Sequence, residues 1–320
     1  MKIRLREEMK NFIHDCIQLI SLERFISENK RYPKYLICNH HLGDTAIACS
    51  YAKSFKEVTN VNICIITKPQ YEKIPKIFGL DSIAYKIPSF KNTVEEGLKQ
   101  IFLNIMNFTF RNNVYFSLPG VLQFFKVSRK EIWSNMYIRY EKTFGLNQKL
   151  QLKRIEEKDL PEISSFQELI EKMKIQKGKS VIISPDSKSM SPIDTSFIER
   201  IYENLSKEGI CPIINSDNPF WQRKGFRNFF TEPSALLTII NFAGFSISAR
   251  SGVSDLVSFL PNSINIVIYS KDCPNDFLFE SKKDELFGEI KEFFIEINNQ
   301  EILIEEIIGF IKDKISSKEK

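Results

Sequence analysis

The stretch Tyr35-Leu-Ile-Cys-Asn-His-His-Leu-Gly-Asp44 joins a short apolar run to a polar turn. Its first four residues predict a buried strand, residues 39–44 a turn, and residues 45–56 a helix. The same order returns along the chain, with further strands expected at residues 61–67, 83–87, 113–117, 180–184, 210–215, 245–248 and 264–269. Strands that alternate with helices predict parallel sheets with helices on both faces, which is an α/β architecture.

The repeated pattern falls into two halves. A chain of 320 residues is long enough for two domains of ordinary size. We expect an N-terminal Rossmann-like domain at residues 1–150, a bridge at 151–179, a second Rossmann-like domain at 180–300, and a C-terminal helix and tail at 301–320. Ligands of open parallel sheets bind beyond the carboxyl ends of the strands, so a cleft between the domains is the expected site.

Composition excludes several classes of protein. A net charge of +5 is too small and too scattered for a nucleic-acid binder. The six cysteines form no C-x-x-C pair, and Cys38 and Cys64 are expected as buried thiols. No apolar run is long enough for a spanning helix, which predicts a cytoplasmic protein. An amphipathic stripe within residues 5–27 either packs on the body or makes a peripheral contact with the inner membrane face.

The turn at residues 40–44 is the first candidate site. Gly43 is expected to allow a tight turn at the start of a helix. Asp44 has two interpretations: a carboxylate that stabilises the helix start, or a general base that faces the cleft. His40 and His41 are two of only three histidines; one could be a structural histidine, and the other could donate to phosphate or sugar hydroxyls. Adjacent residues of an extended chain point to opposite sides, which argues against a metal site.

The loop after the strand at 180–184 is the second candidate. It is rich in hydroxyl groups and holds one lysine, and its candidate ligand-binding residues are Ser184, Asp186, Ser187 and Lys188. One interpretation is an ordinary solvated loop. The other is that Lys188 and the hydroxyl groups line the cleft and offset the charge of a bound phosphate.

The third candidate is the turn that contains Arg250, Ser251, Gly252, Val253 and Ser254. A strand ends there and a helix is expected at residues 254–260, with Ser254 as its N-cap. Backbone N–H groups at a helix start can hold an anion, and Arg250 can clamp a diphosphate. The alternative is an ordinary turn in which Arg250 forms an ion pair with Asp255 or Glu232.

Several common motifs are missing from the sequence. It contains no G-x-x-x-x-G-K-[ST] phosphate loop and no G-x-G-x-x-G fingerprint, which weakens nucleotide hydrolysis and ordinary dinucleotide binding as functions. A G-x-S-x-G elbow and a D-x-D metal motif are also missing, so neither hydrolase chemistry nor a divalent cation is implied.

Four blocks of the sequence resemble a known family over residues 34–315. They are the opening at 35–44, a helix end at 138–146, a strand and loop at 181–188, and a helix, strand and turn at 234–252. In their order and spacing they are similar to the heptosyltransferase-like glycosyltransferases, which are inverting, metal-independent enzymes of the GT-B fold. The resemblance implies two Rossmann-like domains whose parallel sheets face a central cleft.

The resemblance also implies roles for residues. Asp44 would be the general base, Lys188 would lie in the donor loop, and residues 251–254 would contact the diphosphate of the donor. Arg250 stands where the family has an aspartate, and so the donor need not be ADP-heptose.

The implied activity is an inverting sugar transfer from a nucleoside-diphosphate sugar to a hydroxyl of a cell-surface glycan or lipid-linked acceptor, without a cofactor or metal. It would belong to bacterial polysaccharide or lipopolysaccharide biosynthesis. Two alternatives remain open at this point: a nucleotide-sugar epimerase or hydrolase of the same fold, and a non-catalytic glycan-assembly protein.

Overall fold

The structure is a computed structural model of the whole chain. It describes residues 17, 20–22, 24–28, 31–38, 41–86, 114–117, 144–147, 150–186, 193–270, 288–295 and 299–318. The chain divides into two compact units, Met1–Lys153 and Arg154–Lys320. The bridge expected at 151–179 is divided between the units, and its residues 154–179 group with the second unit, where the Ile155 N–H donates to the Phe259 carbonyl (3.1 Å).

The described part of the first unit contains a four-stranded sheet in the order β3-β2-β1-β4, in which every pairing is parallel. Its elements are β1 (Lys34–Cys38), α1 (Leu42–Thr59), β2 (Ile63–Thr67), a 3-10 turn (Pro69–Tyr71), α2 (Lys73–Lys76), β3 (Asp81–Ala84) and β4 (Val114–Ser117).

Helix α1 is buried along most of its length because small residues alternate with apolar ones. Two of its serines bind the chain segment that closes the unit. The Ser50 hydroxyl donates to the Lys153 carbonyl (2.9 Å) and accepts from the Lys153 N–H (2.6 Å). The Gln151 N–H donates to the Ser54 hydroxyl (3.2 Å). These bonds satisfy backbone groups of residues 151–153 that strand or helix pairing does not reach.

The second unit has, in its described part, a six-stranded parallel sheet in the order β10-β9-β8-β5-β6-β7. Its strands are β5 (Ser180–Ser184), β6 (Cys211–Asn215), β7 (Asn228–Phe229), β8 (Gly244–Ala249), β9 (Ile264–Tyr269) and β10 (Glu289–Phe294). Its helices are α3 (Gln167–Met173), α4 (Thr195–Lys207), α5 (Pro219–Arg223), α6 (Pro233–Ala243), α7 (Gly252–Val257) and α8 (Gln300–Lys318).

The two faces of this second sheet differ in chemistry. One face is apolar and forms the main core with α4 and α8; its strand residues include Val181, Ile183, Ile247, Ile266 and Ile268. Side chains alternate along a strand, so the register partners Ser184 and Ser248 share the opposite face. That face also carries other buried polar residues: Ser180, Ser246, Asn215 and Asn265.

The two-domain α/β prediction is confirmed, and the strands at 180–184 and 264–269 have the predicted bounds. Two predictions are wrong in position. The third strand lies at Asp81–Ala84, and helix α7 begins at Gly252 with Ser251 as its N-cap, which places Ser254 inside the first turn. No sequence pattern had indicated β7, α5 or β10. The sequence also favours helices at 94–107 and 132–144, and both stretches lie outside the described residues, apart from Phe144.

Candidate functional site

Asp44 lies in the first turn of α1, directly beyond the carboxyl end of β1. His41 is the N-cap in an extended conformation (φ −76°, ψ 171°), and its carbonyl accepts both the Thr45 N–H and the Thr45 hydroxyl at 3.0 Å. The Asp44 side chain is half-buried. Free N–H groups and the helix dipole favour a carboxylate at this position, and the same position places it at the ligand-binding edge of the sheet.

The residues beside Asp44 differ in part from the sequence expectation. Gly43 is a buried second residue of α1 and is not one of the glycines with positive φ. Its backbone is therefore helical, and the tight turn expected from the sequence is not formed at this residue. His41 is exposed and makes no side-chain cap. His40 lies outside the described residues.

A lysine without a role in the sequence analysis follows the strand next to β1. Lys68 is the first residue beyond β2, the strand next to β1. Burial lowers the pKa of the Lys68 ammonium, and the charge of Asp44 acts in the opposite direction by raising it. The two charges therefore lie within electrostatic reach of each other. The signal in the sequence was the position of Lys68 directly after a buried strand.

In the second unit, the carboxyl ends of β6, β5 and β8 form a row of buried polar side chains. The Asn215 amide donates to the Ser184 hydroxyl (3.2 Å), and Ser184 is the register partner of Ser248. Among the described residues, neither the Asn215 Oδ1 atom nor the Ser248 hydroxyl has a hydrogen-bond partner. A buried polar atom without a partner costs about 1–3 kcal/mol, so such atoms at a sheet edge are candidate ligand contacts.

The loop that follows β5 is described only in part. Asp186 is exposed, whereas Ser184 is 4% exposed. Ser187 and Lys188 lie outside the described residues. Sequence reasoning found Ser184 from its position before the loop, but it missed Asn215, because that residue ends the otherwise apolar strand β6. It assigned no role to Ser248, which lies one residue before the end of β8.

The turn between β8 and α7 is closed by the hydroxyl group of Ser254. The Ser251 N–H donates to the Ser254 hydroxyl (3.0 Å), which in turn donates to the Ser251 carbonyl (2.6 Å). Ser251 and Ser254 are buried, whereas Gly252 and Val253 are half-buried. The accessible part of this turn is therefore its glycine and valine.

Arg250 lies inside this turn. Its Nη1 atom is 2.9 Å from the Asp255 carboxylate and donates to the Ser254 hydroxyl (3.1 Å) and the Ser251 carbonyl (3.2 Å). The residue is 5% exposed. The ion pair with Asp255, one of the two interpretations open from the sequence, is thus present. In this arrangement Arg250 fixes the shape of the turn.

The described part of the chain holds neither a cluster of metal ligands nor a membrane-spanning helix. Across the described ranges, no three His, Cys, Asp or Glu side chains come together as they would around a metal ion. None of the helices described in the structure is both long and apolar enough to cross a membrane.

Comparison with known proteins gives matches at the level of structure. Neither a family model nor a curated protein matches the sequence. A family 9 glycosyltransferase of Veillonella parvula matches with a TM-score of 0.60 and 11% identity, over 90% of this chain and 98% of that one. The ADP-heptose lipopolysaccharide heptosyltransferase II of Escherichia coli also matches with a TM-score of 0.60 and 11% identity, over 90% of this chain and 100% of that one. The E. coli heptosyltransferase WaaC, with ADP-2-deoxy-2-fluoro heptose, matches with a TM-score of 0.56 and 12% identity, over 88% of this chain and 99% of that one.

The chain has the GT-B fold. Each unit of this fold is a parallel sheet with helices, and each carries one group of candidate residues at the carboxyl edge of its sheet. In the first unit the group is Asp44 and Lys68, after β1 and β2. In the second unit it is the polar row at the ends of β6, β5 and β8, together with the turn that follows β8.

Proposed function

We propose that the chain is an inverting glycosyltransferase that moves a sugar from a nucleoside-diphosphate sugar to a hydroxyl of a glycan or glycolipid. The observation that carries the proposal is the likeness in fold, which extends over 90% of this chain and 98–100% of two sugar transferases. The placement of candidate residues at the carboxyl edges of both sheets supports it.

Asp44 is the proposed general base. Its carboxylate accepts the proton of the acceptor hydroxyl while the hydroxyl oxygen attacks the anomeric carbon of the donor. The bond between that carbon and the diphosphate oxygen breaks, and the nucleoside diphosphate leaves with the electron pair. Attack from the opposite side inverts the anomeric centre. General base catalysis of this kind contributes about 10²- to 10⁴-fold to the rate.

The donor is proposed to bind at the second unit. The backbone at Gly252 and Val253 is the accessible part of the α7 turn, and N–H groups at a helix start favour phosphate oxygens. The Ser248 hydroxyl and the Asn215 Oδ1 atom, unpartnered within the described part of the chain, are suited to donor hydroxyl groups. We assign Arg250 to holding the turn, because its Nη1 atom is engaged with Asp255. Asp186, Ser187 and Lys188 remain proposed donor-loop contacts.

A titration with nucleotides tests this proposal directly. Nucleoside diphosphates and their sugar derivatives, beginning with ADP and UDP, are added to the full chain while its thermal midpoint and the heat of binding are measured. A ligand at 100 times its Kd adds about 2.7 kcal/mol of stability. At least one nucleoside diphosphate is expected to bind, and its sugar derivative is expected to be consumed only when a glycan acceptor is supplied.

The other outcomes separate the alternative functions. Consumption of the donor without acceptor would assign the chain to sugar-nucleotide hydrolysis or epimerisation. Donor binding without turnover, unchanged in an Asp44→Asn variant, would indicate a non-catalytic binding protein. If no nucleoside diphosphate binds, the transferase proposal is wrong.

A further inference from the structure

Asn265 is a buried amide in a strand whose other residues are Ile, Val and Tyr. It is the second residue of β9, and it is 0% exposed. An amide that is removed from water lowers stability unless each of its polar atoms has a hydrogen-bond partner. A Val or Ile residue would pack in this strand without that loss. A polar residue at such a position therefore indicates a role other than stability.

The orientation of the Asn265 amide is set by helix α7. Its Nδ2 atom donates to the Ser254 carbonyl (2.9 Å), which also accepts the Ser258 N–H (3.2 Å) within the helix. Because a carbonyl oxygen only accepts, it binds the NH₂ group of the amide and not the Oδ1 atom. The Oδ1 atom has no hydrogen-bond partner among the residues that the structure describes. The amide is thus satisfied only on the side that binds α7.

Ser254, the residue that Asn265 binds, is also the centre of the turn between β8 and α7. Its hydroxyl bonds the N–H and the carbonyl of Ser251, and it accepts from the Arg250 Nη1 atom (3.1 Å). These bonds fix the shape of the turn, but all of them lie within residues 250–255. The bond from Asn265 comes from β9, the parallel neighbour of β8. It therefore connects the first turn of α7 to the sheet.

The proposed donor contacts of this turn are backbone N–H groups, which bind well only when they point in the right direction. Gly252 and Val253 carry them, and both residues are half-buried, between the buried Ser251 and Ser254. Groups that are fixed before a ligand arrives lose less freedom on binding than groups that become ordered with it. A shift of the first turn of α7 would redirect both N–H groups at once. The bond between Asn265 and Ser254 opposes that shift.

We propose that Asn265 is a positioning residue for the donor. By holding the Ser254 carbonyl, it fixes the direction in which the N–H groups of Gly252 and Val253 meet the diphosphate. The inference rests on the proposed transferase function, and it adds a residue that acts through α7 without touching the donor. The unpartnered Oδ1 atom lowers stability, and the Nδ2 donor keeps the turn in place.

The first test uses the ligand-free full chain with the substitution Asn265→Leu. Leucine is similar in size to asparagine, and it removes both the Nδ2 donor and the unpartnered Oδ1 atom. The Ser254 carbonyl keeps its bond from the Ser258 N–H, so the free energy of unfolding in urea should stay the same or rise. The order parameters of the Gly252 and Val253 amides, measured by ¹⁵N relaxation, should fall because the turn moves more freely. Those of β5 should not change.

The second test is calorimetric titration of the same samples with ADP, UDP and inorganic pyrophosphate. The Kd of each compound that binds the native chain should rise about tenfold in Asn265→Leu. Weaker binding without a loss of stability distinguishes positioning from support of the fold. Asn265→Val has a smaller side chain that favours strands, and it should behave in the same way if leucine proves too large to fold. Ser263→Ala is the control: it removes another buried, unpartnered hydroxyl, directly before β9, and should leave the Kd and the order parameters unchanged.

The two measurements separate this inference from the function on which it rests. If a nucleoside diphosphate binds the native chain and both Asn265 variants with the same Kd, the positioning role is wrong and the transferase proposal stands. The role is also wrong if the order parameters of the turn do not change, or if Ser263→Ala weakens binding equally. If no nucleoside diphosphate binds the native chain, the transferase proposal fails, and lower order parameters in the Asn265 variants would still assign the fixing of the turn to Asn265.

Discussion

Arg250 and Asp255 form a buried ion pair across the turn between β8 and α7, with 2.9 Å between the Nη1 and Oδ1 atoms. The arginine also donates to Ser254 and to the Ser251 carbonyl, so one side chain connects both sides of the turn. A turn fixed from inside in this way can present its accessible backbone, at Gly252 and Val253, without reorganising when a ligand binds.

Replacing Arg250 by alanine should therefore destabilise the second unit. The Asp255 carboxylate would remain buried without its partner, which costs about 3–5 kcal/mol. Urea unfolding is the measurement. The matched control is Lys153→Ala, which breaks a surface pair with Glu57 and should cost less than about 1 kcal/mol. A double variant, Arg250→Met with Asp255→Leu, should recover most of the loss. Equal effects of Arg250→Ala and Lys153→Ala would show that the buried pair does not hold the turn.

Ser248 and Ser246 provide a matched pair for the donor site. Both are buried on the same face of β8, and neither hydroxyl has a partner among the described residues. Only Ser248 lies at the carboxyl edge, beside Ser184. Ser248→Ala should raise the Kd of the donor about tenfold, equivalent to the loss of one hydrogen bond. Ser246→Ala should leave the Kd unchanged.

The free energy of unfolding is the second measurement for the Ser248→Ala and Ser246→Ala variants. Removing an unpartnered buried hydroxyl should leave the free energy of unfolding unchanged or raise it in both variants. Calorimetric titration and urea unfolding of the same samples separate binding from folding. Donor affinity that falls equally in both variants would place the donor away from the edge of β8.

The sequence predicted the strands whose residues are mostly apolar and β-branched, as in β5 and β9. It missed β10 because Glu289–Phe294 is an edge strand in which three of the six residues are charged, with Glu289 and Lys291 exposed. It misplaced the start of α7 because Ser251 and Ser254 are both suitable caps, and only the observed bonds between them decide which residue has that role.

The candidate site residues also differ in whether a local sequence pattern is enough to find them. Asp44 and the turn at 250–255 are visible in the sequence because they follow strands in a recognisable local pattern. The proximity of Lys68 to Asp44 depends on the pairing of β1 with β2, and the row formed by Asn215, Ser184 and Ser248 depends on the strand order β6-β5-β8. Both relationships are long-range, and local sequence patterns do not encode them.

Asp44→Asn tests the general base. The amide keeps the size of the side chain but does not accept a proton at neutral pH, so kcat for transfer should fall about 10²- to 10⁴-fold. The Kd of the donor should stay the same, because the proposed donor contacts lie in the other unit. Asp81→Asn is the matched control: Asp81 is exposed at the amino end of β3, and its variant should retain kcat. Near-normal transfer by Asp44→Asn would assign the base elsewhere.

Gly244→Ala tests how closely the second sheet packs at the start of β8. Gly244 has φ +92°, and a Cβ atom there would lie 2.8 Å from the Cα atom of Gly178. A side chain would therefore meet both backbone strain and a contact with another backbone, which does not move easily. We expect a loss of about 2–4 kcal/mol in the free energy of unfolding. Gly209 is the control for backbone strain without a steric contact. It has φ +74°, but no atom lies within 4 Å of the position that a Cβ atom would occupy. Gly209→Ala should cost only about 1–2 kcal/mol, and an equal loss in the two variants would mean that the contact with Gly178 is not tight.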